Sequence, residues 1–149
     1  MQLTLYTDYS LRMLIYLGVV EDATIAEIAD HFHISRNHLV KVAHNLGKYG
    51  YIHTMRGRTG GLRLARDPEK IKIGEVVRSM EPNFNLVECF HREGNQCVIT
   101  PSCGLKNVLF QAYDSFLRVL DSYTLADMLH NKELLAEELH IEILPASAV

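Results

Sequence analysis

Two short helix signals, a three-residue turn and a glycine-tipped hairpin follow one another between Thr24 and Ala65, and few folds accept that order. "TIAE", residues 24–27, has the form of a capping box, in which Thr24 and Glu27 satisfy one another's end of a helix. Ile25, Ile28, Ala29 and Phe32 then recur at helical spacing as its buried stripe. "HIS", residues 33–35, is a turn, and Ser35 can cap the next helix, whose inward face is Leu39, Val42, Ala43 and Leu46. Gly50 stands where a left-handed residue would end that helix. Tyr51–Met55 and Leu62–Ala65 are short strand candidates around Gly57, Gly60 and Gly61. Two helices joined by a tight turn and followed by a hairpin make a helix-turn-helix with a wing.

Charge points the same way. From His31 to Arg66 there is no Asp or Glu, while Arg36, Lys41, Lys48, Arg56, Arg58, Arg63 and Arg66 give the stretch a charge of +7. The whole chain carries −3, so the remainder sums to −10 (−3 minus 7). A basic segment in an acidic protein marks where a polyanion docks, although a solvated basic face without a partner has the same composition. At the start of the second helix of the motif, "SRNHLVK" offers Arg36, Asn37 and His38 to base edges in a major groove, with Ser35 and Lys41 better placed for phosphates. His38 is equally readable as a surface histidine. Arg56 and Arg58 at the hairpin tip and Arg63 on the return strand suit phosphates or a narrow minor groove, and Gly60 and Gly61 permit close approach to a backbone.

A first helix is expected from Thr7 or Asp8, either of which can cap it, to about Val20, with Leu11, Leu14, Ile15 and Gly18 inward and Arg12 outward. "IKIGEVVRSMEP" predicts a short helix ended by Pro82. The longest helix is expected to be capped by Thr100, with Pro101 at its first position and Cys103 in its first turn. Its apolar residues Leu105, Leu109, Ala112, Phe116, Val119 and Tyr123 recur in steps of 4, 3, 4, 3 and 4, the spacing of a seam for a second copy of the chain, or of burial against its own domain. A short helix begins at Thr124, and the acidic tail after Lys132 reads as peripheral. The expected architecture is mostly α: a winged helix-turn-helix DNA-binding domain over residues 1–82, then a cysteine loop and a dimerisation helix over 83–149.

The longest apolar run, Met13–Val20, spans eight residues, against roughly 20 for a membrane helix. With no secretory signal visible, a cytoplasmic protein is expected. No paired carboxylates, nucleophile–base constellation or phosphate loop presents itself, so an enzyme is not expected. All three cysteines fall within "ECFHREGNQCVITPSC", residues 88–103. Three thiols cannot pair among themselves, and structural disulfides are rare in the cytosol. The gaps of seven and five residues give no CxxC pair, which disfavours a zinc ribbon or a thioredoxin-like site. Buried structural cysteines sit in apolar sequence, whereas this loop is polar and glycine-bearing. A thiol at a helix N-terminus favours the thiolate, and the same environment suits an anionic iron–sulfur cluster. Three thiolates leave one position for another group, with His91 the local candidate and a carboxylate from elsewhere the alternative.

"LTLYTDYSLRMLIYL", "SRNHLVKVAHNLGKYGYI" and "RGRTGGLRLA", followed by the three-cysteine loop and "SYTLADML", closely resemble the Rrf-two type of winged-helix iron–sulfur repressors, and most of all their nitric-oxide-sensing branch. The resemblance covers Met1 to about Leu129. It implies a homodimer that binds a pseudo-palindromic operator in double-stranded DNA, represses nitrosative-stress genes and releases them in response to nitric oxide. It implies an iron–sulfur cluster in each subunit, 4Fe–4S in the best-understood form and 2Fe–2S as the alternative. Cys89, Cys97 and Cys103 match the three cysteine ligands of this branch. Asp8 in "YTDYS" matches its fourth ligand, an aspartate contributed by the other subunit, in competition with the capping role. A sister branch uses a histidine three residues after its last cysteine, where this chain has Lys106. The first cysteine gap is longer than the family's usual spacing, which keeps His91 in contention. The rival readings are the same fold sensing iron, cluster supply or redox state, and a zinc- or thiol-based redox regulator using the cysteines and His91.

Overall fold

The computed structural model describes residues 2–55, 57, 60–91 and 93–141. Seven helices and one hairpin are found among them: α1 Leu5–Val19, α2 Ile25–Phe32, α3 Arg36–Lys48, β1 Ile52–Met55, β2 Gly61–Leu64, α4 Ile73–Met80, α5 Gly104–Asp121, α6 Leu125–Met128 and α7 Lys132–Glu138. The α2–α3–hairpin block forms as its local signals require. Thr24 and Glu27 make the reciprocal capping box on α2. His33 takes the left-handed turn position at φ 53°, and α3 begins two residues later. At its other end Gly50 has φ 71°, with Gly50 N–H bonded to the Gly47 carbonyl and Tyr51 N–H to that of Leu46, the Schellman arrangement that stops a helix.

Strands β1 and β2 pair antiparallel, Ile52 opposite Leu64 and Met55 opposite Gly61. A third strand-like contact braces the wing: Ala23 and Leu62 exchange two backbone hydrogen bonds, of 3.1 and 2.7 Å. A Cβ on Gly61 would lie 3.0 Å from the Ala23 carbonyl oxygen, close enough that the two backbones would have to part by a few tenths of an ångström, so glycine eases this approach.

Helix α1 differs from the sequence expectation. It starts at Leu5 and is capped by Thr4, whose hydroxyl accepts from Thr7 N–H, so neither Thr7 nor Asp8 is the cap. Its buried residues are Thr7, Ser10, Met13, Leu14, Tyr16, Leu17 and Val19, while Leu11 and Ile15 pack only partly against the core. The cause is position: α1 is the central helix, touching α3, α4, α6, α7 and β2, so more than one face is buried and no single stripe describes it.

The C-terminal elements return to this core. Leu125 of α6 is fully buried, Leu129 packs beside Gly18, and Ala136 of α7 is buried with Leu139 and Ile141 against the core. The tail after Lys132 is therefore partly structural, at least to Ile141, because its apolar residues complete the cover over α1. Helices α4 and α5 are joined by a forked ion pair between Arg78 and Asp121, with N···O distances of 2.6 and 2.5 Å. No helix among the described residues is long and apolar enough to cross a membrane.

Candidate functional site

Helix α3 presents its buried face, Leu39, Val42, Ala43 and Leu46, to the core and leaves Ser35, Arg36, Asn37, His38 and Lys41 exposed. Ser35 occupies the cap position, but its hydroxyl makes no cap bond; its carbonyl instead accepts from His38 and Leu39 N–H. The hydroxyl thus remains available to an outside partner. No acidic side chain lies in the first turn of α3, so the positive end of the helix dipole faces solvent unopposed from within that turn. Arg36 reaches Asp30 at 3.4 Å and Arg63 reaches Asp22 at 3.0 Å, both in solvent-exposed pairs. Such pairs contribute little and yield readily to a phosphate. Arg63 lies opposite His53 across the hairpin, an exposed histidine that composition alone gave no reason to select.

Gly60 has a local task besides any approach to DNA: a Cβ there would meet the carbonyl oxygens of Met55 at 2.7 Å and Gly57 at 2.9 Å. Arg56 and Arg58 lie outside the described residues.

Sequence reasoning also missed the tyrosines behind α3. The Tyr6 hydroxyl donates to the Lys41 carbonyl at 2.9 Å, and the Tyr9 ring lies 6.2 Å from that of His38. Their only signal was the three-residue spacing that puts both on one face of α1. Asp8 sits in the first turn of α1, where the dipole favours a carboxylate, and is forked by Arg12 at 3.1 and 2.7 Å. Its side chain keeps 38% of its exposure.

The cysteine loop lies between α4 and α5. Cys89 is in a 3-10 turn, Glu88–Phe90; Cys97 follows an Asn95 turn that receives its N–H; Cys103 is the residue preceding α5. A separate 3-10 turn takes Thr100–Ser102, so Thr100 does not cap the long helix and Cys103 is its cap residue rather than part of its first turn. The Thr100 hydroxyl is used inside the loop, donating to the Cys97 carbonyl and accepting from Asn95. His91 meets the Asn85 amide at 3.1 Å. An open cleft of about 670 Å³ is lined by Cys89, Phe90, His91, Lys106, Phe110 and Tyr113, and an adjoining one of about 410 Å³ contains Cys103 and shares Lys106 and Asn107.

All three cysteines are free and half-buried. Among the described residues no three His, Cys, Asp or Glu side chains are grouped so as to hold a metal ion, so this protomer does not bring Cys89, Cys97, Cys103 and Asp8 together. The donor set nevertheless fits an iron–sulfur group: three free cysteines, none engaged in a disulfide, on one loop ending at a helix N-terminus.

The chain aligns with two curated regulators over 136 residues each. It is 56% identical to the HTH-type transcriptional regulator NsrR of Bacillus subtilis, covering 89% of this chain and 93% of that protein. It is 54% identical to NsrR of Bacillus licheniformis, covering 89% and 95%. Among solved structures, T. potens IscR superposes with a TM-score of 0.71, at 26% identity over 91% of this chain and 90% of that one. The family model for the iron-dependent transcriptional regulator Rrf2 matches residues 3–131. The chain belongs to the Rrf2 family of iron-dependent transcriptional regulators.

Proposed function

We propose that this DNA-binding regulator is a repressor that carries an iron–sulfur cluster on Cys89, Cys97 and Cys103, senses nitric oxide through it and controls nitrosative-stress genes. The observation that carries the reading is the loop itself: three unpaired, half-buried thiols beside a winged helix-turn-helix, in a chain over half identical to proteins named NsrR. A bound cluster, 4Fe–4S in this reading, supplies iron that reacts with nitric oxide.

The chain's own residues do the rest. Arg36, Asn37 and His38 face base edges, while Ser35, Lys41, Arg63 and the wing tip hold phosphates. With a cluster bound, Asp8 of the partner subunit would be its fourth ligand in place of its bond to Arg12, which would tie occupancy of the cluster to the placement of the two winged helices. His91 is the second candidate, favoured by its place in the same cleft as Cys89.

A homodimer through α5 is supported by the exposure of Leu105 at 63% and Val119 at 58%, on a helix that buries only Leu117 in the protomer. Two reading helices would then meet half-sites about one turn of DNA apart. The cytoplasm is where such a regulator meets its operator.

The test is an anaerobic absorption spectrum with iron and sulfide assays, followed by stepwise nitric oxide with operator affinity measured at each step. Thiolate-to-iron absorption that is lost together with operator binding is expected. A colourless protein after reconstitution, or operator binding indifferent to nitric oxide, would refute the reading. Asp8→Ala altering the spectrum where His91→Ala does not would identify the fourth ligand.

A further inference from the structure

We infer that Val40 is a base-reading residue, whose methyl groups contact the 5-methyl group of a thymine in the major groove of the operator. The inference rests on the DNA-reading role given to α3 in the proposed function, and it is independent of the cluster.

Val40 differs from the other large apolar side chains of its helix. Leu39, Val42 and Leu46 are fully buried, whereas Val40 keeps 51% of its exposure. A lone exposed valine is ordinary on a protein surface. The neighbours of this one are not. Helical spacing puts Asn37 three residues before it, and Arg36 and His44 four residues to either side, all of them exposed. Val40 is thus an apolar spot within the polar surface that faces DNA.

Nothing in the protomer claims that spot. The contacts of α1 with α3 lie on another flank, where the Tyr6 hydroxyl donates to the Lys41 carbonyl and the Tyr9 ring lies 6.2 Å from that of His38. The small apolar cleft between these two helices is walled by Leu5, Tyr6, Tyr9, His38 and Lys41, without Val40. The seam of the proposed dimer is on α5, away from the recognition helix. Helix propensity gives no reason for valine either, since a β-branched side chain at an exposed helical position is a poorer choice than alanine.

The chemistry of the groove supplies the occupant. Base edges in the major groove present hydrogen-bond donors and acceptors, and thymine adds a methyl group. Valine has no donor or acceptor to offer, so its preference can arise only from apolar contact and shape. Against any other base edge it would cover polar groups without pairing them. Arg36 and Asn37 read hydrogen bonds one turn earlier, about 5 Å along the helix, so the thymine lies within roughly two base-pair steps of their positions.

The test removes the methyl group from either side of the contact. A duplex is enriched from a random-sequence pool by the full-length wild-type protein, and each thymine of one half-site is replaced in turn by deoxyuridine, which keeps every hydrogen bond. Wild type is expected to lose about fourfold in affinity at one thymine, the value of one buried methyl group. Val40→Ala should bind the unmodified duplex more weakly and show no further loss at that thymine, with an unchanged or higher melting temperature. Val40→Ile should keep the sensitivity. Losses at thymines read by other residues should persist in all three proteins.

A wild-type protein indifferent to deoxyuridine at every thymine would overturn the inference, as would a sensitivity that survives undiminished in Val40→Ala. In both cases the enriched duplex still binds, so the DNA-reading role of α3 stands. Failure of that role is seen before any substitution, as no sequence enrichment by the wild type, and it removes the inference too.

Discussion

Glycines show how one residue can serve two purposes that sequence cannot separate. Gly60 and Gly61 read as room for a DNA backbone, and the structure shows that the chain's own backbone already occupies the space around them. At Gly60 the atoms that a Cβ would meet are the carbonyls of Met55 and Gly57, neither of which can swing aside as a side chain would. Gly60→Ala is therefore expected to lose about 1–3 kcal/mol, the usual range for overpacking. Gly104, the first residue of α5, is the contrast: nothing lies within 4 Å of its Cβ position and no left-handed φ constrains it. Gly104→Ala should be neutral or stabilising by up to about 1 kcal/mol, through a less flexible unfolded chain and better helix propensity. Thermal denaturation of the two variants checks both; equal melting temperatures would show that the wing tip relaxes freely.

At the scale of elements, the forked Arg78–Asp121 pair that joins α4 to α5 has a definite pH signature. The hydrogen bond from Arg78, ahead of its charge, holds the Asp121 carboxyl below the ordinary aspartate value of 3.8. A depressed folded-state pKa contributes stability that is complete above the unfolded value and is lost as pH falls through the lower folded one. Arg78→Met should therefore melt at a lower temperature than wild type near neutral pH, and the difference should shrink steadily as pH falls below about 3.8. The effect is modest, since both side chains keep over a third of their exposure. A melting difference independent of pH would mean that Arg78 acts by packing alone. The same scale separates what sequence could disclose from what it could not. α2, α3 and the hairpin carry their instructions locally, in the Thr24–Glu27 box and the Gly50 stop, and were legible in outline. The Thr4 cap and the many-sided burial of α1 depend on distant neighbours, as does the seating of Ala136 and Leu139, so no local pattern announces them. In the candidate site, the exposure of Arg36, Asn37, His38 and Lys41 followed from helix period, whereas Arg12 on Asp8 and Tyr9 on His38 required the fold.

Across the whole molecule the decisive property is where charge lies, because the net value of −3 would by itself repel DNA. The acid-free segment His31–Arg66 carries seven cations, among them Arg36, Lys41 and Lys48 on α3 and Arg63 on β2, and the acidic residues that reach back toward it, Asp30 and Asp22, do so in exposed pairs that salt or phosphate can displace. Binding should therefore follow the local field rather than the total charge. Lys41→Gln and Glu138→Gln separate the two. If local contacts govern, Lys41→Gln in a dimer removes two phosphate contacts and makes the slope of log affinity against log salt shallower by about 2. Glu138→Gln, at an exposed position of α7 outside the basic segment, should leave that slope unchanged although it alters net charge by the same amount. If total charge governed, the two substitutions would displace affinity by similar amounts in opposite directions with no distinction in slope. Salt titrations of the two variants on one operator duplex decide between them, and with them whether the polarity of this chain is what brings an acidic protein onto DNA.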